Sequence, residues 1–327
     1  MQTTIVGALP KLPVVYEDPD NLRRAVNDFE AGRIGAPDLE AVTRQTQARA
    51  LAWQTDRGIG LLGDGQIRWS DLVSPVAYDV AGLEVGGLIR FFQNNTYYRH
   101  PIVTGRVWLV GRTLPGWFAQ ARALAAGPIK AALPGPYTLA ALSEDRQYHD
   151  LERLVADLAD VLGLLARLHL EAGAACVEFE EPSLAREADP GRRALGLAAL
   201  ARAAARAQGP VRAALYFGDP TGWLADLAAI GLEGVSFDLV GAPVLGQALA
   251  AGGFPGRVGL GVLDARDLRI EDPVAVRAVV EAVARRIEPE RLLLHPNTSL
   301  EYLPADGAVR KLDRLHEIHT SLEGVTR

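Results

Sequence analysis

Short apolar runs alternate along this chain with longer segments of helical period, and that alternation limits the folds open to it. Eight runs stand out, at residues 3–8, 58–64, 129–133, 175–180, 211–217, 234–239, 257–263 and 291–295. They are nearly continuous in apolar residues rather than alternating, the pattern of strands buried on both faces. Helical stretches are expected between them at 151–171, 192–208, 221–230, 273–287 and 307–322. Gly173 and Gly231 stand where two of these helices should stop, and Asp272 before Pro273 is a helix start. A spacing of roughly 30 residues per strand–helix unit in the second half predicts an α/β fold, a (β/α)8 TIM barrel. The 327 residues suffice for one such domain.

Two stretches exceed a minimal barrel. Residues 9–57 are long, polar and helix-prone. Residues 65–128 form an excursion after the second strand, in which 91–111 carry aromatic and β-branched runs on either side of Asn94-Asn95, a hairpin pattern. Loops leaving strand C-termini face the catalytic mouth of such a barrel, so this excursion is placed to cover a site or to pack as an appendage.

Composition removes several functions. Cys176 is the sole cysteine, which rules out an internal disulfide and a multi-thiolate metal centre within one chain. A net charge of −6 without a basic patch argues against nucleic acid. No run of about eighteen apolar residues is present, so no membrane span is expected. The N-terminus lacks a basic, then apolar, leader, and the cytoplasm is the expected location.

In this fold chemistry sits just after each strand. Those positions gather carboxylates: Asp64, Glu180, Glu181, Asp219, Asp238 and Asp264. Buried acids are costly unless paired, ligated or protonated, so the ring suggests a cation, a cationic substrate group or shared protons. Asp219 and Asp264 are expected to cap the following helices, whereas Glu180 and Asp238 end apolar strands and are read as functional. His295 alone among the histidines ends a strand; His100 lies in the excursion, and His169, His316 and His319 fall in helices as surface or packing residues. Cys176 is expected to be a buried, inert thiol.

Taken in order, these motifs resemble the C-terminal catalytic barrel of cobalamin-independent methionine synthase, in its short single-barrel form. The resemblance runs over essentially the whole chain, through Thr3-Thr4-Ile5-Val6-Gly7, Asp64-Gly65-Gln66 and Pro101-Ile102-Val103-Thr104-Gly105. It continues through Pro134-Gly135-Pro136-Tyr137-Thr138, Glu180-Glu181-Pro182-Ser183-Leu184 and Pro296-Asn297-Thr298-Ser299-Leu300. It implies methyl transfer to homocysteine, whose sulfur is held as thiolate on a zinc bound by His, Cys, an acid and Cys. At those positions this chain carries Tyr216, Gly218, Asp238 and Thr298. The family's ammonium-gripping acids align with Gln66 and Glu180, its first-strand serine with Ala8, and its folate-stacking tryptophan with Leu142.

The substitutions speak against zinc and folate, and leave the cofactor open. The expected function is therefore methyl or alkyl transfer or cleavage on a small sulfur- or nitrogen-containing metabolite, without the family's zinc site. Glu180, Asp238 and Tyr216 are the expected catalytic residues; Ala8, Gln66, Glu181, His295, Asn297 and Thr298 are expected to bind substrate. Mg²⁺ or Mn²⁺ on Asp238, Glu180 and His295 is an alternative for the metal. A corrinoid methyl-donor protein is a possible partner, because the short forms lack the N-terminal barrel. Two other readings stand beside this one: a non-catalytic metabolite- or partner-binding homologue, and a true methionine synthase with a changed ligand set.

Overall fold

The computed structural model describes residues 1–13, 18 and 21–323. Eight parallel strands form one curled sheet. In chain order they are β1 (Gln2–Thr3), β2 (Leu62–Gly63), β5 (Ile129–Pro134), β7 (Val177–Glu180), β8 (Val211–Leu215), β9 (Gly234–Asp238), β10 (Arg257–Leu263) and β11 (Leu292–Pro296). Their order in the sheet is β1-β11-β10-β9-β8-β7-β5-β2. The two ends of that order meet where Thr4 bridges Leu61 in parallel, reinforced by Thr4 Oγ1 donating to the Leu61 carbonyl at 2.8 Å. The architecture is a TIM-like barrel. β1 is shorter than the apolar run at 3–8 because residues 5–8 turn into the loop that brings Ala8 to the mouth, whereas β2 keeps only the end of the run at 58–64, with residues 58–60 leading into it.

A second, three-stranded sheet stands beside the barrel. It is formed by β3 (Val80–Arg90), β4 (Tyr97–Leu109) and the short β6 (Glu144–Asp145). The hairpin expected at 91–111 is therefore shifted: its first arm is β3, and Phe91 and Phe92 lie in the turn. Gly86-Gly87 occupy an irregularity in the β3–β4 register, which explains why the apolar signal of this arm is broken in the sequence. The helix-prone 9–57 stretch yields α1 (Leu22–Glu30) and α2 (Ala36–Thr55), with 14–17 and 19–20 of it outside the described residues.

The remaining helices pack outside the sheet. After α3 (Thr113–Leu124) and the short α4 (Pro136–Ala141) comes α5 (Leu151–Glu171), whose bounds match the sequence pattern. Asp150 caps α5 by accepting from Arg153 N at 3.1 Å, and Gly173 leaves it at φ +96°. The next helices are α6 (Pro182–Ala185) and α7 (Pro190–Ala207). A Cβ on Gly163 of α5 would lie 2.6 Å from the Ala203 carbonyl oxygen, so the missing side chain lets α5 and α7 touch. The helix expected at 221–230 is split into a 3-10 turn, Thr221–Trp223, and α8 (Leu224–Ala229). The circuit closes with α9 (Pro243–Gly252), α10 (Pro273–Ala284) and α11 (Ala305–Glu323). Asp272 caps α10 by accepting from Val274 N at 3.0 Å. Among the described residues no helix is long and apolar enough to cross a membrane.

The barrel interior is polar in its middle. Lys130 and Glu178, both about fully buried, pair at 2.5 Å, and Ser236 donates to the other oxygen of Glu178 at 3.2 Å. Arg212 and Glu233 form a second pair lower in the barrel. Below lies an apolar layer of Leu61, Cys176 and Leu293, where burial pushes the Cys176 thiol up to about 11. That thiol is buried, as expected.

Candidate active site

The mouth of the barrel opens into a cavity of about 690 Å³. Glu180, the last residue of β7, and Tyr216, the first residue after β8, meet on its wall: the Tyr216 hydroxyl donates to Glu180 Oε2 at 2.7 Å. Glu180 Oε1 is buried without a hydrogen-bond partner among the described residues. Burial, more than any neighbouring charge, pushes the Glu180 carboxyl up to about 8. Glu178, two residues earlier on the same strand, adds to the rise; Lys130 and the Tyr216 hydrogen bond oppose it. Burial thus favours the protonated form of Glu180 at neutral pH, with Oε2 engaged by Tyr216 and Oε1 left facing no partner among the described residues. Tyr216 is itself pushed well above 10 by burial and stays a phenol.

Gly7 makes this approach possible. It holds φ +64°, and a Cβ there would lie 2.9 Å from Ser299 Cβ and 3.3 Å from Glu180 Oε2. The neighbouring Ala8 lines the cavity, but its N–H is committed to Ser299 Oγ at 3.1 Å and its carbonyl accepts from Ser299 Oγ and Glu301 N. Gln66 also lines the cavity, in a left-handed conformation at φ 47° that Asp64 fixes by accepting from Gln66 N at 3.1 Å. Burial lifts Asp64 to about 6.

Five other expected site residues are buried close to the mouth without lining this cavity. Glu181 accepts from Tyr137 N, Thr138 N and Thr138 Oγ1 at 3.0, 2.9 and 2.7 Å, anchoring the start of α4. Burial raises it to about 7 despite those bonds. Asp238 accepts from Gly241 N at 2.6 Å, Asn297 Nδ2 at 3.0 Å and Phe217 N at 3.4 Å. Asn297 Oδ1 in turn accepts from Ala265 N at 2.9 Å, so the two side chains tie together the mouth ends of β8, β9, β10 and β11. Thr298 is fully buried. His295 lies deeper, beside Gly259 and Ser236, with Nδ1 donating to the Pro296 carbonyl at 2.8 Å; burial drives its imidazole down to about 4, hence neutral.

Asp219 accepts from Thr221 N at 2.9 Å, at the start of the 3-10 turn, whereas Asp264 accepts from Arg266 N at 2.9 Å within a loop and caps no helix, because α10 begins only at Pro273 with Asp272 as its cap. His100 donates from Nδ1 to the Gly87 carbonyl at 3.0 Å, with Nε2 3.4 Å from Glu144 Oε2, all within the hairpin sheet, and does not line the cavity.

At the positions where the resemblance implies zinc ligands, Tyr216, Gly218, Asp238 and Thr298, this chain carries no sulfur or imidazole donor. Gly218 has no side chain, and a Cβ there would overlap the Ala185 carbonyl oxygen. Asp238 is engaged by three donors. Among the described residues no three His, Cys, Asp or Glu side chains are grouped to hold an ion, so Asp238, Glu180 and His295 do not form the alternative set for Mg²⁺ or Mn²⁺.

Several wall residues were not singled out from sequence. Phe91, Tyr97 and Tyr98 come from the hairpin, and Ser299, Glu301 and Tyr302 from the turn after β11. The aromatic density of 91–98 was a signal for the first group; Tyr302 follows the Pro296-to-Leu300 motif directly. Phe92 packs on Phe217 at 5.4 Å, and Phe217 is held at φ 68°, an uncommon state for a bulky residue. The hairpin turn is therefore seated on the barrel mouth.

Comparison with known proteins agrees with this geometry. A B12-independent methionine synthase from Shewanella sp. W3-18-1, solved in complex with selenomethionine, superposes with a TM-score of 0.82 at 18% identity, covering 99% of this chain and 98% of that one. A methyltransferase from Methanosarcina mazei superposes with a TM-score of 0.60 at 16% identity, covering 96% and 94%. A methionine synthase from Saccharolobus islandicus is 25% identical over 316 residues, 95% of this chain and 92% of that protein. Residues 1–320 match the family described as cobalamin-independent synthase, catalytic domain. The chain belongs to the cobalamin-independent methionine synthase catalytic-domain family.

Proposed function

We propose that this methyltransferase-like barrel transfers or cleaves a methyl or other small alkyl group on a small sulfur- or nitrogen-containing metabolite, with proton chemistry at Glu180 in place of a zinc-held thiolate. One observation carries the reading: a fully buried carboxyl on the cavity wall, held by Tyr216 through one oxygen and unpartnered at the other. The residues at the family's zinc positions do not fit that ion. Tyr216 and Thr298 offer neutral hydroxyls, position 218 has neither side chain nor room for one, and Asp238 already accepts from three donors that tie strand ends together.

For a thiol acceptor, the chemistry follows from matched acidities. A free thiol titrates near about 8.5, and Glu180 sits at about 8, so proton transfer between them is close to thermoneutral. As the new S–C bond forms and the donor's bond to the alkyl group breaks, the thiol proton passes to ionised Glu180. Tyr216 supports the carboxylate by donating to Oε2. Gln66 presents its amide to the substrate. Asp238, Asn297 and Glu181 act on the site by fixing the strand ends and the start of α4.

The test is the pH dependence of alkyl transfer to a thiol, with Glu180→Gln beside the wild type. The wild-type kcat/KM should rise with pH through about 8, and the variant should lose that rise together with about 100-fold or more of the rate. A variant within a few-fold of wild type, or a flat wild-type profile, would overturn the assignment.

A further inference from the structure

We infer that the methyl donor is a small carboxylate-bearing onium compound, a methylsulfonium or a methylated quaternary ammonium, bound against the aromatic wall of the mouth cavity. This rests on the proposed alkyl-transfer function and names the donor that function leaves open. Five aromatic rings, Phe91, Tyr97, Tyr98, Tyr216 and Tyr302, share that wall with the acids Asp71, Glu180 and Glu301. Rings of this kind attract a desolvated cation through the negative face of their quadrupole, and clustered aromatics are a recurring device for methylated onium groups. Tyr216 and Tyr302 are both held well above 10 by burial, so they present neutral rings at any physiological pH.

The polar groups fit the same ligand. Arg23, on α1, is the one basic residue of that wall among the described residues, and it is exposed at the outer side. It suits the carboxylate of a zwitterionic donor. Glu180 is the buried acid of the same wall, with Oε1 unpartnered among the described residues. A cation brought beside it favours its ionised form, so donor binding would release the resting proton and leave the carboxylate able to take one from the acceptor. At about 690 Å³ the cavity is in the range that encloses drug-sized ligands, roughly 300–1,000 Å³. It has room for more than one amino-acid-sized molecule.

The atoms balance without a further reactant. The donor's C–S⁺ or C–N⁺ bond to methyl breaks, its electron pair staying on the donor as a neutral thioether or amine. The acceptor sulfur gains the methyl group, and its proton goes to Glu180 and then to solvent.

The test is calorimetric titration of the full chain with S-methylmethionine and with glycine betaine. Each is paired with its uncharged counterpart, methionine and 3,3-dimethylbutanoate, and each is run in two buffers of different ionisation enthalpy. At least one onium compound should bind ten-fold or more tightly than its counterpart, with proton release, and Tyr302→Leu or Tyr98→Leu should erase that preference. The better binder identifies the donor as sulfonium or ammonium. The same compounds are then offered with a thiol acceptor, beside methylcobalamin and methyltetrahydrofolate, and methylated thiol is measured by mass spectrometry. No preference for either onium compound overturns the inference. Transfer from methylcobalamin or the folate alone also overturns it while leaving the proposed function standing. Absence of transfer from every donor removes the proposed function as well.

Discussion

The Tyr216 hydroxyl donates to Glu180 Oε2 at 2.7 Å, across neighbouring strands β7 and β8. The bond does two things. It fixes the rotamer of a carboxyl that desolvation would otherwise leave costly, and it holds down a titration that burial has pushed up.

Removing that donor should move the titration further upward. In Tyr216→Phe, Glu180 loses the interaction that favours its ionised form, so a smaller fraction is ionised at pH 7. Alkyl transfer should fall several-fold at neutral pH and recover toward wild type as the pH is raised above about 8. A pH–rate profile checks this; an unshifted profile would separate Tyr216 from the chemistry. The cost to folding should be modest, about 1 kcal/mol, the net worth of one buried hydrogen bond.

Stability itself should depend on pH through the same group. The Glu180 carboxyl stands at about 8 in the fold against 4.5 for an ordinary glutamate. It binds its proton more tightly folded than unfolded, so its contribution is complete below about 4.5 and is lost as the pH rises through about 8. Glu181, at about 7, and Asp64, at about 6, act with the same sign. Wild-type Tm should therefore decline between about pH 5 and pH 8.5, and Glu180→Gln should flatten part of the decline. Equal slopes for the two proteins would place Glu180 in the ordinary carboxylate range.

The ion pair inside the barrel gives a separate expectation. Lys130→Met would strand Glu178, which is 1% exposed and bonded otherwise to Ser236 alone. The loss should be about 3–5 kcal/mol, and adding Glu178→Leu should recover much of it, because a buried pair replaced as a pair costs little. Chemical denaturation of the three variants measures this. A double variant no more stable than Lys130→Met would mean that packing, not the stranded charge, sets the loss.

The fold was legible because a two-sided buried strand has a distinctive pattern, and here most strands carry it, β10 at 257–263 without any shift of bounds. What the pattern concealed was polarity inside the barrel. Lys130, Glu178 and Arg212 point inward from otherwise apolar runs, and one sequence does not reveal which charged residues will find each other. The hairpin was legible by its turn, Asn94-Asn95, but its first arm was not, because Gly86-Gly87 interrupt the pattern where β3 loses register with β4.

The site was legible at its centre and less so at its edge. Glu180 and Tyr216 were marked by the ends of two consecutive strands. Asp238 and Asn297 were marked by the same logic, yet the structure spends their polar atoms on tying strands together, a distinction that depends on contacts across four chain segments. Tyr98 and Tyr302 reach the cavity from a hairpin and a 3-10 turn, where spacing alone assigns no face.

The most direct check of the whole account is the metal content of the protein as isolated, read together with its alkyl-transfer activity before and after exhaustive chelation. Zinc should lie well below one equivalent per chain, and activity should survive the chelator. One zinc per chain, lost in step with activity and restored with it, would contradict this.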